Sequence, residues 1–286
     1  MSDDGRHGLT IIAFIGSVFS PYYAWARRSG NADPANHCAL NVALYGRTKR
    51  WSMTERPRHS LARDEDSISI GPSSLSWNGT SLDIAIDEIT VPFPSRIRGT
   101  VRIFPTAITA DVFTLNDNGN HTWWPIAPRC RCEVSLDNPS LSWTGDGYFD
   151  TNGGEAPLED GFTVWDWSRA AMHDGTAILY EAEKRGGART ELALMCDRSG
   201  SVRTFEPPAC VRLAKSGWRV PRQTRSEEPA RIVQTLEDAP FYARSVVSGQ
   251  MLGEPVTMVH ESLSLDRFRM PIVQAMLPFR MPRARK

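Results

Sequence analysis

The chain has 286 residues, with 33 Lys plus Arg against 33 Asp plus Glu. It is long enough to bury one large or two smaller cores, and its balanced charge excludes an overall field that would favour nucleic acid. Five cysteines, an odd number, point to reduced thiols in a cytoplasmic setting rather than to a disulfide framework.

In chain order, the apolar run from Gly8 to Phe19 is too short to span a bilayer. The acidic Asp3-Asp4 pair before it has the wrong sign for a secretory leader, so the run is expected to be a buried strand. Asn78-Gly79 lies between Leu75/Trp77 and Leu82/Ile84/Ile86, two sets spaced by two, and predicts a tight hairpin with one buried face. Further turns are expected at Asn118-Gly119, Asp174-Gly175, Gly186-Gly187 and Asp197 to Gly200. Short alternating segments between turn signals describe an antiparallel meander, hence an all-β fold. The tetrapeptide Ser-Leu-Ser-Trp recurs at Ser74 and Ser140, a hint of duplicated β units, and Thr151 to Leu158 is the candidate link between residues 1–150 and 151–286. The tail from Met270 to Lys286 mixes Ile272, Val273, Met276, Leu277, Phe279 and Met281 with Arg280, Arg283, Arg285 and Lys286. It reads as a docked terminal element with a basic end, or as a contact for an anionic membrane surface.

The stretch from Gly145 to Arg169 sets isolated carboxylates among aromatic rings. Tyr148 and Asp150 are two apart and share a strand face, as do His121 and Trp123. A carboxyl desolvated among rings has a raised pKa, the condition for a general acid, while ring faces stabilise a nearby cation. Trp124, Trp165 and Trp167 are expected to be core or site wall, with Glu155 and Glu159 as reserve carboxylates in a loop. Other motifs do not complete. Cys130-x-Cys132 has no second ligand pair at zinc spacing, His260-Glu261 lacks the second histidine of a zincin helix, and Ser262, Ser264 and Asp266 near His260 come without a nucleophile elbow. A phosphate loop or dinucleotide fingerprint is likewise missing.

Several long segments carry a resemblance. They are FIGSVFSPYYAW at Phe14–Trp25, NHCALNVALYG at Asn36–Gly46, HTWWPIAP at His121–Pro128, GYFDTNGGEAPLEDGF at Gly147–Phe162, WDWSRA at Trp165–Ala170, TLEDAPFYARS at Thr235–Ser245 and HESLSLDRF at His260–Phe268. Together these resemble the acyclic carotenoid 1,2-hydratases, also called hydroxyneurosporene synthases, over nearly the whole chain. The resemblance implies tandem lipocalin-like β-barrel units, 1–150 and 151–286. It also implies addition of water to the terminal C1–C2 double bond of neurosporene or lycopene in purple photosynthetic bacteria, with no redox, metal or nucleotide cofactor. The family's proposed catalytic Asp falls on Asp150, with Tyr148, His121 and Trp123 around it. A bilayer-resident substrate implies peripheral attachment to the cytoplasmic side of the photosynthetic inner membrane. A non-catalytic carotenoid or lipid carrier is the rival reading, and it leaves a carboxyl among rings without a purpose.

Overall fold

The computed structural model describes residues 1–284; Arg285 and Lys286, the end of the basic tail, lie outside the described residues. It contains two compact units. One comprises Met1–Pro105, Cys130–Gly147 and the segment from Gln274 onward, and the other Thr106–Arg129 and Tyr148–Val273. Both are built from antiparallel strands, as the turn spacing predicts.

In the first unit, β1 (Gly8–Ile15), β2 (Cys38–Tyr45) and β3 (Arg50–Met53) form a three-stranded sheet in that order. The run at Gly8 is therefore a strand, but a half-buried one at a sheet edge. The fully buried strand is β2, which is paired on both sides. The short helix α1 (Pro21–Arg28) follows β1; Ser20 caps it by accepting the Tyr23 N–H at 2.9 Å, and Pro21 sets the first turn. A meander continues with β4 (Leu61–Arg63), β5 (Ser67–Ile70), β6 (Ser73–Trp77), β7 (Leu82–Ile89) and β8 (Arg96–Pro105). The Asn78-Gly79 hairpin forms between β6 and β7 as a four-residue loop, closed by Asn78 N–H to Ser81 O at 3.1 Å. Leu82, Ile84 and Ile86 are buried as the alternation requires.

The two-residue strand β9 (Phe113–Thr114) precedes the two longest strands, β10 (His121–Asn138) and β11 (Leu141–Gly154), each of which runs from one unit into the other. Along β10 the buried positions change from odd (His121, Trp123, Pro125, Ala127) to even (Pro128, Cys130, Cys132, Val134, Leu136). The switch sits at Ala127–Pro128, beside the unit boundary. The expected division at 150/151 falls inside β11, and the first four residues of the expected link, Thr151–Gly154, extend that strand. Gly145 is required here: a Cβ would lie 2.0 Å from the Met1 carbonyl oxygen, where β11 bridges to Ser2. Both copies of Ser-Leu-Ser-Trp, in β6 and at the start of β11, belong to the same sheet, ordered β11-β10-β8-β7-β6-β5-β4. They mark no repeat of one unit in the other.

The second unit continues with α2 (Leu158–Gly161), β12 (Phe162–Met172), β13 (Gly175–Lys184), β14 (Arg189–Asp197), β15 (Val202–Thr204), β16 (Cys210–Leu213), β17 (Arg222–Arg225), β18 (Arg231–Asp238), β19 (Tyr242–Met251) and β20 (Glu254–Ser264). Then follow α3 (Leu265–Phe268) and α4 (Pro271–Arg280). The main sheet has the order β15-β14-β13-β12-β20-β19-β18, and β16 pairs with β17 alone. Neither large sheet returns to its first strand among the described residues, so the barrels implied by the resemblance are open sheets in their hydrogen bonding.

The central strand β12 sends alternate side chains to opposite faces, and this divides the second unit's chemistry in two. Ala170 and Met172 join an apolar cluster with Leu179, Met195, Val247, Met251 and Met258, to which Leu213 of β16 contributes. Trp165, Trp167 and Arg169 face the other way.

Candidate active site

Asp150 lies at the centre of the second face. Its Oδ2 accepts the indole N–H of Trp123 at 2.8 Å and the Tyr148 hydroxyl at 3.1 Å. The period-two spacing on β10 and β11 produces this directly, because Trp123 and Asp150 face each other from neighbouring strands and Tyr148 precedes Asp150 on the same face. The rings of Trp123 and Tyr180 are 4.9 Å apart, as are those of Tyr180 and Trp165, and Tyr148 lies 5.1 Å from Trp167. Tyr180 in turn donates to Asn152 Oδ1 at 3.2 Å.

This surrounding decides the protonation state. Desolvation pushes the Asp150 carboxyl up to about 6, against the lowering effect of the bonds from Trp123 and Tyr148. Asp150 nevertheless keeps part of its surface accessible, as does Tyr148. The carboxyl is thus enclosed by rings within a residue that is half-buried as a whole. Desolvation, followed by the nearby Asp150 charge, holds the Tyr148 hydroxyl well above its ordinary range, so it stays a donor.

Of the expected site residues, Asp150, Tyr148 and Trp123 converge, and Trp165 and Trp167 join them. His121 lies two residues before Trp123 on the same face, fully enclosed. Its ring packs edge-on to Phe162 at 5.2 Å and makes no hydrogen bond to Asp150. Burial lowers its pKa, so it is a neutral imidazole at neutral pH. Gly154 makes room for it, since a Cβ there would meet His121 Nδ1 at 2.7 Å. Trp124 is not brought in. As the next residue on β10 it turns to the opposite face, where its indole donates to Thr109 O at 3.0 Å. Glu155 follows the end of β11 and Glu159 lies in α2.

Three groups on this face escape the sequence reading. Tyr180 bridges the ring cluster from β13. Arg169 stands 5.7 Å from the centre of the Tyr148 ring and donates to Pro128 O at 3.2 Å. Glu261, paired opposite Trp167 in the β12–β20 register, is held by Arg244 at 2.7 Å. Strand alternation is the signal they share, but it becomes legible only once the pairing of strands is known.

On the other face of β12 a second polar line is fully enclosed. Ser262 donates to Asp166 Oδ1 at 2.5 Å and lies 2.9 Å from His260 Nε2; His260 Nδ1 is 2.8 Å from Ser168 Oγ, which is 3.0 Å from Thr224 Oγ1. Burial pushes Asp166 up to about 7 and His260 down to about 3. The 3.9 Å approach of Asp166 to His260 is thus between groups that both favour neutrality, and the line is a chain of neutral hydrogen bonds. Ser264 and Asp266 take no part: Ser264 caps α3, and Asp266 pairs with Arg185 at 2.8 Å. Cys130 and Cys132 are buried strand thiols, Cys132 donating to Gly145 O at 3.2 Å.

With this geometry in place, the comparisons with known proteins are specific. The family model described as "Carotenoid hydratase CrtC" matches residues 11–286. The chain belongs to the carotenoid hydratase family. An acyclic carotenoid 1,2-hydratase of Thiocapsa roseopersicina is 58% identical over 99% of this chain and 71% of its own length. One of Cereibacter sphaeroides is 44% identical over 96% of this chain and 98% of its own. Among solved structures, CghA with Sch210972 aligns with a TM-score of 0.45 at 10% identity, covering 80% of this chain and 85% of its own.

Proposed function

We propose that the protein adds water across the terminal C1–C2 double bond of an acyclic carotene, with Asp150 as the proton donor. The hydratase activity follows from family membership and from relatives bearing that name. The role of Asp150 rests on one observation: a carboxyl held by Trp123 and Tyr148, ringed by aromatic side chains and raised to about 6, in a residue that is half-buried as a whole.

An unactivated alkene needs a strong acid placed against it. Protonation at C2 leaves the positive charge on the more substituted C1, which sets the regiochemistry of a tertiary alcohol. At pH 7 roughly a tenth of the Asp150 carboxyls carry a proton, and an apolar chain laid against the group desolvates it further and raises that share. Trp123 and Tyr148 orient the carboxyl and stabilise the anion it becomes. Trp165, backed by the buried Tyr180 ring, offers a ring face to the cation, a contact worth about 2 kcal/mol when desolvated. Tyr148, with the Arg169 guanidinium near its ring, serves better as a hydrogen-bond donor than as a cation platform.

The test is conversion of lycopene in oxygen-18 water by the purified protein. The wild type yields labelled hydroxyl by mass spectrometry and Asp150→Asn yields none while still binding carotene. A carrier would yield none in either case.

The substrate class resides in membranes, which supports peripheral attachment to the cytoplasmic face of the photosynthetic inner membrane as part of this proposal. No helix among the described residues is long and apolar enough to cross a membrane. On α4, Val273 and Leu277 point inward, while Ile272 and Phe279 are 64% and 75% exposed. Arg280 stacks on Trp51 at 4.2 Å, and Arg283 pairs with buried Glu55, so the apolar ridge rather than those two charges is free to enter lipid. The double variant Ile272→Ser/Phe279→Ser should lose sedimentation with vesicles; unchanged sedimentation would remove α4 from this role.

A further inference from the structure

We propose that Glu261 is the second carboxylate of the reaction, accepting the proton of the attacking water, and that Trp167 and Glu261 together hold that water. The assignment deepens the reading of Asp150 as donor and rests on it.

Directly opposite residues in an antiparallel pair share a face, and Trp167 stands opposite Glu261 in the β12–β20 register. The Trp167 ring packs on Tyr148, which binds Asp150, so Glu261 belongs to the same face as the proton donor. The Trp167 side chain is almost wholly buried, yet its indole N–H has no partner in the protein. A buried donor left unpaired is costly and calls for a ligand that can accept. A carotene has no such atom, but water and the tertiary hydroxyl of the product do.

Glu261 supplies the complementary acceptor. Arg244 binds it through two nitrogens, Nε at 2.8 Å and Nη2 at 2.7 Å, and Arg244 is itself backed by Glu237 at 3.8 Å. This ion pair fixes the Glu261 carboxylate in place, and its side chain retains 29% exposure, which leaves it open to solvent. The negative charge is felt across the site, where it adds to the upward shift of Asp150.

The step balances. The Asp150 O–H bond breaks as a proton joins C2, and the π pair forms that C–H bond. Water oxygen donates a lone pair to C1, and its proton passes to a Glu261 oxygen. Glu261 then releases one proton to solvent and Asp150 regains one, so the net change is one water added.

The experiment uses lycopene and the full chain in deuterium oxide. In Glu261→Gln, hydration should fall about 100-fold, within the range for loss of a general base, while recovered lycopene gains deuterium at C2. The label enters because the cation still forms and reverts by returning a proton to Asp150. Formate added to Glu261→Ala should restore part of the hydration, which a structural role would not allow. Hydration near the wild-type rate in Glu261→Gln overturns the proposal. So does joint loss of hydration and exchange in Glu261→Gln with no response to formate in Glu261→Ala. Exchange that persists in Asp150→Asn would instead refute the donor reading and leave the failure of Glu261 separately visible.

Discussion

On each side of β12 stands one carboxyl with a raised pKa, Asp166 of β12 itself and Asp150 of β11, and the two differ in their surroundings. Asp166 is pushed up to about 7 and sealed in a line of hydroxyls and an imidazole with no exposed member. Asp150 is pushed up to about 6 among rings, keeps accessible surface, and has a buried unpaired N–H and an ion-paired glutamate on the same face. Both shifts are upward and both are led by desolvation, yet Asp166 is sealed from any substrate. A perturbed carboxyl therefore marks burial first; access and the chemistry of its neighbours separate a catalytic acid from a structural one.

The sharpest way to break this comparison is to neutralise each carboxyl in turn. Asp150→Asn should reduce hydration by about 10³-fold or more, as expected for loss of the general acid, and Asp166→Asn should leave the specific rate close to wild type. Near-normal turnover in the first, or collapse of the second with its fold intact, would reverse the assignment. Product formed per unit of folded protein is the measurement.

Next in size are the two donors to Asp150. Trp123→Phe and Tyr148→Phe each remove a hydrogen bond that favours the carboxylate, so the folded pKa of Asp150 rises further. The acid form works below that pKa, and the wild-type rate should decline as pH rises through about 6. In both variants the decline should move to higher pH, with the rate at pH 5 lower by about tenfold from lost orientation. A pH–rate profile that stays in place would remove these donors from control of Asp150. His121→Ala should cost less, since the imidazole touches Phe162 rather than the carboxyl. A loss as great as that of Asp150→Asn would place His121 in the proton path.

The smallest effect concerns stability. Asp166 binds its proton more tightly folded than unfolded, so its contribution to stability is present at low pH and is lost as pH rises from about 4 to about 7. His260, pushed down to about 3, has the opposite sign: stability is lost as pH falls from about 6.5 toward 3. The two slopes oppose each other across most of this window. Asp166→Asn removes the first, and denaturant midpoints between pH 4 and 6.5 should then climb more steeply with pH than in the wild type. Parallel curves would show that Asp166 does not hold a proton in the fold.

Much of this molecule follows from local rules. Turn residues at Asn78-Gly79, Asp174-Gly175 and Gly186-Gly187 separate strands, with alternate positions buried in β7 and continuous buried runs in β12 and β13, and the two-residue spacings placed Tyr148 with Asp150 and His121 with Trp123. Ser20-Pro21 announces α1 by its cap, although no longer helical period accompanies it. The run at Gly8 reads as a core strand because its composition is apolar, but composition does not tell which strand has neighbours on both sides.

What the sequence determined by itself is the β character, the hairpins, and which side chains share a face within one strand, because these depend on backbone geometry over a few residues. It also carried enough family motifs to name the reaction. Only the tertiary structure decided which faces meet. The registers β12–β13 and β12–β20 bring Tyr180 and Glu261 to the site and send Asp166 and His260 to the sealed side. They join residues far apart in the chain, and no local preference encodes such pairings.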